Sequence, residues 1–305
     1  MLVKNSMKKF INLSACIAVL LSFSCLTLFA SIQTNQSISV QKQLKNLEKL
    51  SGGRIGVFAI NTQNNQSLRY HSNQRFPVCS TGKIMSVAAI LKQSMSNPNL
   101  LQQKIYFKKE DVVIYSPITQ QHIADGMTIT ELCDAAIRYS DNTAINLLIK
   151  ELGGPKAATA FARSIGDNTF RLDRVEPELN TAIPGDSRDT STPAAMAKSF
   201  RKLILGNVLA PAQREQLIGW LKNNTTGDTR IRAGVPIGWI VGDKTGTGDY
   251  GTTNDIAIIW PPKSAPLIVA IYFTQFKKNA APQDKVISSA TRILVNAFAI
   301  TEKRG

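Results

Sequence analysis

The chain has 305 residues, of which 43% are hydrophobic and 19% charged, with a formal net charge of +15 and a mean hydropathy of −0.06. This composition is that of a globular protein with one large domain or two lobes, and it argues against a polytopic membrane protein. The lysines and arginines are scattered, without a basic block that carries interleaved aromatic residues, so no nucleic-acid partner is expected.

Residues 1–30 predict a secretory signal peptide. Lys4, Lys8 and Lys9 precede an apolar run from Phe10 to Ala30, which ends on a small residue. A retained membrane anchor is the alternative, because about 20 apolar residues span a bilayer. We expect removal of this segment, export to the periplasm or secretion, and no stable membrane association afterwards.

The following segments predict one helix and two strands. Apolar residues recur at a helical period from Ser39 to Leu50, and Gly52 with Gly53 ends this helix. The next stretch, RIGVFAINTQNNQSLRYHS, indicates two strands around an Asn/Gln turn.

Helical signals dominate from Pro77 to about Asn224. Thr128 and Glu131 form a capping-box pattern, and Thr192 precedes a proline that opens another helix. The pattern then returns to strands in GWIVGDKTGTG, TTNDIAIIW and PLIVAIYFTQF, which are rich in β-branched and aromatic residues. A last helix is predicted in DKVISSATRILVNAFAITEK.

These elements predict the α+β fold class. One antiparallel, five-stranded sheet flanked by helices is built from both chain ends, and an all-helical lobe is inserted between them. The predicted boundaries are 31–76 and 225–305 for the discontinuous α/β lobe and 77–224 for the helical lobe. A cleft between two lobes is the expected place for a site.

Ser80 and Lys83 lie three residues apart where PVCSTGKIMSVAAI turns from a loop into an apolar helix. They share a helix face, and the helix start stabilises a developing negative charge. A serine nucleophile needs a base, and neither His71 nor His122 lies in a Ser/Asp pattern, so a Ser-His-Asp triad is not expected. A lysine serves if burial and nearby cations lower its pKa. Taken alone, the pair is better explained by a helix cap and a solvated lysine, because S-x-x-K often occurs by chance.

Two further motifs occur later in the chain. Ser140-Asp141-Asn142 is predicted to be a loop between two helices, where a helix cap is the alternative explanation. Lys244-Thr245-Gly246 is predicted at the end of a strand, where Gly246 would allow a close approach to the backbone. An ordinary hairpin end is the alternative there.

Together, the order S-x-x-K, S-D-N, K-T-G is the signature of class A β-lactamases and penicillin-binding proteins. The chain resembles the class A serine β-lactamases from about Ser39 to its last helix, which implies the β-lactamase/transpeptidase-like fold. The resemblance implies that Ser80 is acylated, that Lys83 exchanges its proton, and that Ser140 relays a proton to the leaving nitrogen. It also implies a substrate-binding set of Asn142, Lys244, Thr245 and Gly246, with an oxyanion hole from the N–H groups of Ser80 and Thr247.

The stretch EPELN resembles the deacylation loop of this family, at about 170–190. Glu176 would be the general base and Asn180 the second ligand of a water. The resemblance also implies a cis Glu176–Pro177 bond and a neck closed by Arg174 and Asp189. A surface acidic turn is the alternative for EPELN alone.

Tyr115 and Arg230 match two other positions of the family. Tyr115 would form an aromatic wall at the cleft mouth, and Arg230 would support the carboxylate site, which suits the planar guanidinium. A packed aromatic and a solvated surface arginine are the alternatives.

Outside the predicted signal, the cysteines are Cys79 and Cys133. An exported protein could join them. In many members of the family, however, the cysteine that Cys133 matches pairs with a position that is Val87 here. In one carbapenem-hydrolysing subgroup, the cysteine that Cys79 matches pairs with a position that is Gly248 here. We therefore expect two free, buried thiols.

The expected protein is a monomeric β-lactamase that acts on penicillins and cephalosporins as small-molecule substrates, without metal or other cofactor. Two lone histidines supply no clustered metal ligands. The alternatives are a D,D-peptidase acting on peptidoglycan and a β-lactam sensor that stays acylated. Glu176 with Asn180 argues against the peptidase, which has no use for them.

Overall fold

The computed structural model describes residues 36–302 of the chain. The α-helices are α1 (36–51), α2 (Lys83–Ser94), α3 (Ile129–Arg138), α4 (Asn142–Glu151), α5 (Pro155–Ser164), α6 (Pro193–Leu205), α7 (Pro211–Lys222) and α8 (Asp284–Glu302). The strands are β1 (Arg54–Asn61), β2 (Ser67–Tyr70), β3 (Phe76–Pro77), β4 (Lys104–Ile105), β5 (Met127–Thr128), β6 (Thr190–Ser191), β7 (Ile240–Gly248), β8 (Thr252–Trp260) and β9 (Leu267–Thr274).

The main sheet has five strands in the order β2-β1-β9-β8-β7, and every neighbouring pair is antiparallel. Strands from both chain ends therefore meet in its centre, where β1 pairs with β9. This confirms the predicted α+β architecture. The division into lobes at 76/77 and 224/225 stays a prediction.

The sheet is buried on both faces. Successive side chains of a strand point to opposite faces, so Val57 packs with α1 and α8 in one hydrophobic cluster and Phe58 packs with the helical segment in another. All eight residues of β9 are buried, as expected for a central strand between two layers. The sheet is thus the middle layer of the fold, and the helical segment packs on one of its faces.

Helix α2 is the buried axis of the helical segment. Its side chains from Ile84 to Leu91 are all buried, and it packs against α3, α4 and α5. Such packing holds the residues at its start in one geometry. The predicted Thr128–Glu131 capping box and the Thr192 cap are both confirmed.

Two local predictions need correction. The Lys244-Thr245-Gly246 motif lies inside β7 rather than at a strand end, because pairing with β8 continues to Gly248. Ser80 lies in a 3₁₀ turn, Cys79–Gly82, and α2 itself begins at Lys83. The predicted signal at 1–30 lies outside the described residues, and between residues 36 and 302 no helix combines the length and hydropathy of a membrane span.

Candidate active site

The turn that carries Ser80 joins β3 to α2. Cys79 has a φ of 45°, in the left-handed region that non-glycine residues seldom occupy. The Val78 N–H donates to the Asp189 carbonyl at 2.9 Å, and the Thr81 N–H donates to the Val78 carbonyl at 3.1 Å. These backbone hydrogen bonds hold Ser80 in a strained turn, and Ser80 lines a cleft.

Lys83 is buried, with 3% of its surface exposed. Its Nζ donates to the Ser140 carbonyl at 2.6 Å and to Asn142 Oδ1 at 2.7 Å, and it lies 3.2 Å from Glu176 Oε1. Burial lowers the pKa of Lys83 from its ordinary value, while the charge of Glu176 opposes this change. The structure thus places Lys83 where it can exchange a proton with the Glu176 carboxylate and with the Ser140 hydroxyl, whose Oγ lies 3.3 Å from Nζ.

Ser140 lies between two lysines. Its Oγ accepts from Lys244 Nζ at 3.0 Å and from Lys83 Nζ at 3.3 Å. Burial and repulsion from Lys83 lower the pKa of Lys244 well below its ordinary value. Because both neighbours donate to Ser140, its own proton points elsewhere and is available to a substrate atom.

The start of α4 positions one wall of the cleft. Asp141 caps the helix by accepting the Ala144 N–H at 2.9 Å. The Asn142 side chain donates to the Ile114 carbonyl at 2.9 Å, and the Asn142 N–H donates to the Tyr115 carbonyl at 3.0 Å. Tyr115 is thereby held at the mouth with 58% of its surface exposed, as expected for an aromatic wall.

The opposite wall is β7, which approaches the Ser80 turn closely. A Cβ at Gly246 would lie 3.0 Å from the Val78 carbonyl oxygen and 3.2 Å from the Ser80 nitrogen. A side chain there would push the strand away from the nucleophile. The predicted need for glycine at this position is confirmed.

Arg230 supports this wall from behind and is 6% exposed, so it is not a solvated surface arginine. It donates to the Gly246 carbonyl at 2.9 Å and to Thr247 Oγ1 at 2.7 Å, and it pairs with Asp284 at 2.8 Å. The Thr226 hydroxyl, which the sequence motifs do not indicate, lies 2.5 Å from Thr245 Oγ1.

Glu176 is 1% exposed and follows the pattern expected of the deacylation loop, including a cis bond to Pro177. Its Oε1 accepts from Ser80 Oγ at 3.3 Å, and its Oε2 accepts from Asn180 Nδ2. The neck of the loop is closed by Arg174 and Asp189, whose Nε and Oδ2 atoms are 2.5 Å apart.

Asn146 is a site residue that sequence reasoning missed. Its Oδ1 accepts the Glu176 N–H at 2.9 Å, and its Nδ2 donates to the Glu176 carbonyl at 2.8 Å. This clamp holds the backbone of Glu176 against α4. The available signal was its spacing, because Asn146 follows Asn142 by four residues on the same helix face.

The two cysteines are free and buried, as expected. A Cβ at Gly248 would lie 2.7 Å from Cys79 Sγ, so the two positions are neighbours and only the second thiol is lacking. Burial raises the pKa of both thiols above the ordinary value.

The chain without residues 1–30 is therefore expected to react with two equivalents of a thiol reagent after unfolding. The native protein should react far more slowly, because the thiolate is the reactive form and both thiols are buried with raised pKa values. Absorbance titration with and without denaturant measures this, with a pre-reduced sample as control. A denatured, unreduced protein without reactive thiols would contradict the prediction.

The functional side chains converge on one cleft of about 500 Å³. Its lining comprises Ser80, Tyr115, Ser140, Asn142, Asn180, Thr225, Thr226, Arg230, Thr245, Gly246 and Thr247. Lys83, Lys244 and Glu176 lie behind this lining through the contacts given above. Within residues 36–302, no group of three or more His, Cys, Asp or Glu side chains is arranged to hold a metal ion.

The chain is similar to known proteins in sequence and in fold. The model of the β-lactamase enzyme family matches residues 39–298. β-Lactamase OXY-1 of Klebsiella oxytoca is 56% identical over 260 residues, covering 85% of this chain and 89% of that protein. β-Lactamase CTX-M-97 of Escherichia coli is 55% identical over 278 residues, covering 91% and 94%.

Two solved structures are similar over the same region. The β-lactamase from Desulfarculus baarsii DSM 2075 has a TM-score of 0.85 and 51% identity, covering 86% of this chain and 98% of that one. A variant of the last common ancestor of Gram-negative bacterial class A β-lactamases has a TM-score of 0.84 and 54% identity, covering 86% and 99%.

Proposed function

The chain belongs to the class A β-lactamase family, and from this premise we propose how its own residues open the β-lactam amide of penicillins and cephalosporins. Its activity is β-lactam hydrolysis, which confers resistance to these antibiotics. The proposed route is a Ser80 acyl-enzyme that a water activated by Glu176 then hydrolyses. The observation that carries this proposal is the buried Glu176 carboxylate, which accepts hydrogen bonds from both Ser80 and Asn180.

In the acylation step, Ser80 Oγ forms a bond to the β-lactam carbonyl carbon and loses its proton. Glu176 Oε1 is within hydrogen-bond distance of that hydroxyl, and Lys83 Nζ contacts the same carboxylate oxygen. The base of this step is Lys83 or Glu176, and a proton taken by either group can pass to the other across their 3.2 Å contact. The Ser80 and Thr247 N–H groups would stabilise the oxyanion.

The carbon–nitrogen bond then breaks, and the leaving nitrogen needs a proton. Ser140 supplies it, because two lysines donate to its oxygen and orient its own proton away from them. Lys83 returns a proton to Ser140. Asn142 would hold the substrate amide. Lys244 and Arg230 would attract the substrate carboxylate as cations, and the Thr245 hydroxyl would donate a hydrogen bond to it.

In the deacylation step, Glu176 takes a proton from the attacking water, whose oxygen forms a bond to the acyl carbon. The bond between that carbon and Ser80 Oγ then breaks, and Glu176 returns the proton to Ser80 Oγ, 3.3 Å away. Asn180 would orient this water. Its Oδ1 is buried and lacks a hydrogen-bond partner among the described residues, so it is available as an acceptor. A peptidase that only transfers its acyl group would not need this pair, which favours hydrolysis.

We further propose that the protein acts as a monomer in the periplasm or outside the cell after removal of residues 1–30. The two lobes, with the boundaries predicted above, would meet at the cleft.

Multiple turnovers of a chromogenic cephalosporin by the wild-type protein test the function. We expect sustained hydrolysis, a transient mass adduct on the peptide that contains Ser80, and the same rate with a metal chelator, since the mechanism uses no metal. One acylation followed by arrest would favour the peptidase or the sensor instead.

A further inference from the structure

Four residues form a row across the sheet beneath the Ser80 turn. Register pairs Gly246 of β7 with Asn254 of β8, Asn254 with Tyr272 of β9, and Tyr272 with Gly56 of β1. Directly paired residues point to the same face of a sheet. The row therefore presents two glycines at its ends and two polar side chains in its middle.

The glycines allow the segment around Ser80 to approach the sheet. As described above, a Cβ at Gly246 would crowd the Val78 carbonyl. At the other end, a Cβ at Gly56 would lie 2.3 Å from the ring of Phe76, which no real packing allows. The segment from Phe76 to Ser80 thus lies directly upon this row.

The two middle residues hold the same segment by hydrogen bonds. Asn254 Nδ2 donates to the Pro77 carbonyl at 2.8 Å and to the Val78 carbonyl at 3.3 Å. The Tyr272 hydroxyl lies 3.1 Å from Thr81 Oγ1, which donates to the Val78 carbonyl at 2.6 Å. Both side chains therefore act on the carbonyl that precedes Cys79, the residue with the left-handed backbone.

Asn254 holds this position at an energetic cost. Its side chain is fully buried, and its Oδ1 has no hydrogen-bond partner in the described part of the chain. An unpaired buried acceptor carries its full desolvation penalty. A buried amide with an unpaired oxygen calls for an explanation. Here the amide nitrogen supplies one, because its hydrogen bonds hold the strained turn in place.

Asn254 also connects the turn to the carboxylate side of the cleft. Arg230 Nη1 donates to the Asn254 carbonyl at 2.8 Å and to the Gly246 carbonyl at 2.9 Å. Asn254 therefore links β7 to the Ser80 turn. Its carbonyl shares Arg230 with β7, and its side chain binds the Pro77 and Val78 carbonyls.

We propose that Asn254, assisted by Tyr272, is a positioning residue for acylation. It holds the Pro77 and Val78 carbonyls so that the Ser80 hydroxyl and N–H keep their places against Glu176 and β7. This inference rests on the proposed role of Ser80 as the acylated residue. A misplacement of about 1 Å in a reacting group can reduce a rate by about 100-fold.

The test is rapid-quench acylation of Asn254→Ala and Tyr272→Phe, which separates the rate at saturating substrate from the dissociation constant of the substrate. For Asn254→Ala we expect a rate lower by about 10- to 100-fold with a dissociation constant within about threefold of wild type. For Tyr272→Phe we expect a drop of about threefold, because Thr81 keeps its own bond to Val78.

Ser199→Ala is the matched control. It also removes a buried hydrogen bond, from Ser199 Oγ to Asp167 at 2.8 Å, but it lies in α6 and lines a different cavity. Its acylation rate should equal that of wild type even if its melting temperature falls. Active-site titration corrects every rate for the folded fraction.

The outcomes separate the two levels of inference. A wild type that forms no adduct on Ser80 would refute the proposed function. A wild type that is acylated, beside an Asn254→Ala variant that reacts equally fast, would refute only the positioning role. A loss that matches the folded fraction, or that Ser199→Ala shares, would show a merely structural role. If Asn254→Ala does not fold, an unchanged acylation rate in Tyr272→Phe overturns the proposal.

Discussion

Glu176→Gln is expected to remain acylated on Ser80 and to lose about 10²- to 10⁴-fold of its steady-state turnover. The amide keeps the size and the hydrogen-bonding reach of the carboxylate toward Asn180, but it cannot accept a proton from water. Deacylation therefore stalls after Ser80 has reacted. Intact mass spectrometry after mixing with excess cephalosporin measures the adduct and its decay.

Glu178→Gln is the matched control, because Glu178 lies in the same loop with its side chain exposed. Its turnover should equal that of wild type. Unchanged turnover in Glu176→Gln would contradict the assignment of Glu176 as the deacylation base. A Glu176→Gln variant without any adduct would contradict the expected trap and would assign the first proton transfer, from Ser80, to Glu176 as well.

Ser80→Ala is expected to abolish both turnover and adduct formation, with a loss of about 10⁴-fold or more. The change removes the atom that forms the acyl bond. The cleft should persist, because Lys83 keeps its bonds to Ser140 and Asn142. The dissociation constant of the substrate should therefore remain close to that of wild type. Competition with a fluorescent β-lactam measures it.

Ser86→Ala provides the control for this variant. Ser86 lies in α2, the helix that follows the Ser80 turn. Its buried hydroxyl has no hydrogen-bond partner among the described residues. Its removal should leave turnover unchanged. Activity retained in Ser80→Ala would mean that another group attacks the β-lactam carbonyl.

The sequence predicted the parts of the site that occur as contiguous motifs. Ser80 with Lys83, and Lys244 with Thr245, are recognisable because neighbours in the chain are also neighbours in the cleft. The Glu176–Asn180 pair was found for the same reason, since only three residues of one loop separate the carboxylate from the amide.

Isolated residues could not be found in this way. Asn146 and Asn254 reach the site only through the folded structure. Asn146 is indicated solely by its four-residue spacing from Asn142, and a single asparagine within a strand, such as Asn254, carries no signal of its own. Thr226 meets Thr245 only because the segment after α7 folds beside β7. The strand end predicted at Lys244-Thr245-Gly246 was wrong, because cross-strand pairing with β8 continues through the motif to Gly248.

The pairing of β1 with β9 has a consequence for how the molecule is made. Arg54 pairs with Thr274, so the centre of the sheet cannot close until β9 has emerged from the ribosome, about 220 residues after β1. Contacts of such long sequence separation slow folding, because the loop between them must be ordered first. The sheet beneath the cleft is therefore among the last parts of the described chain to assemble, and a nascent chain remains without activity until β9 has been synthesised.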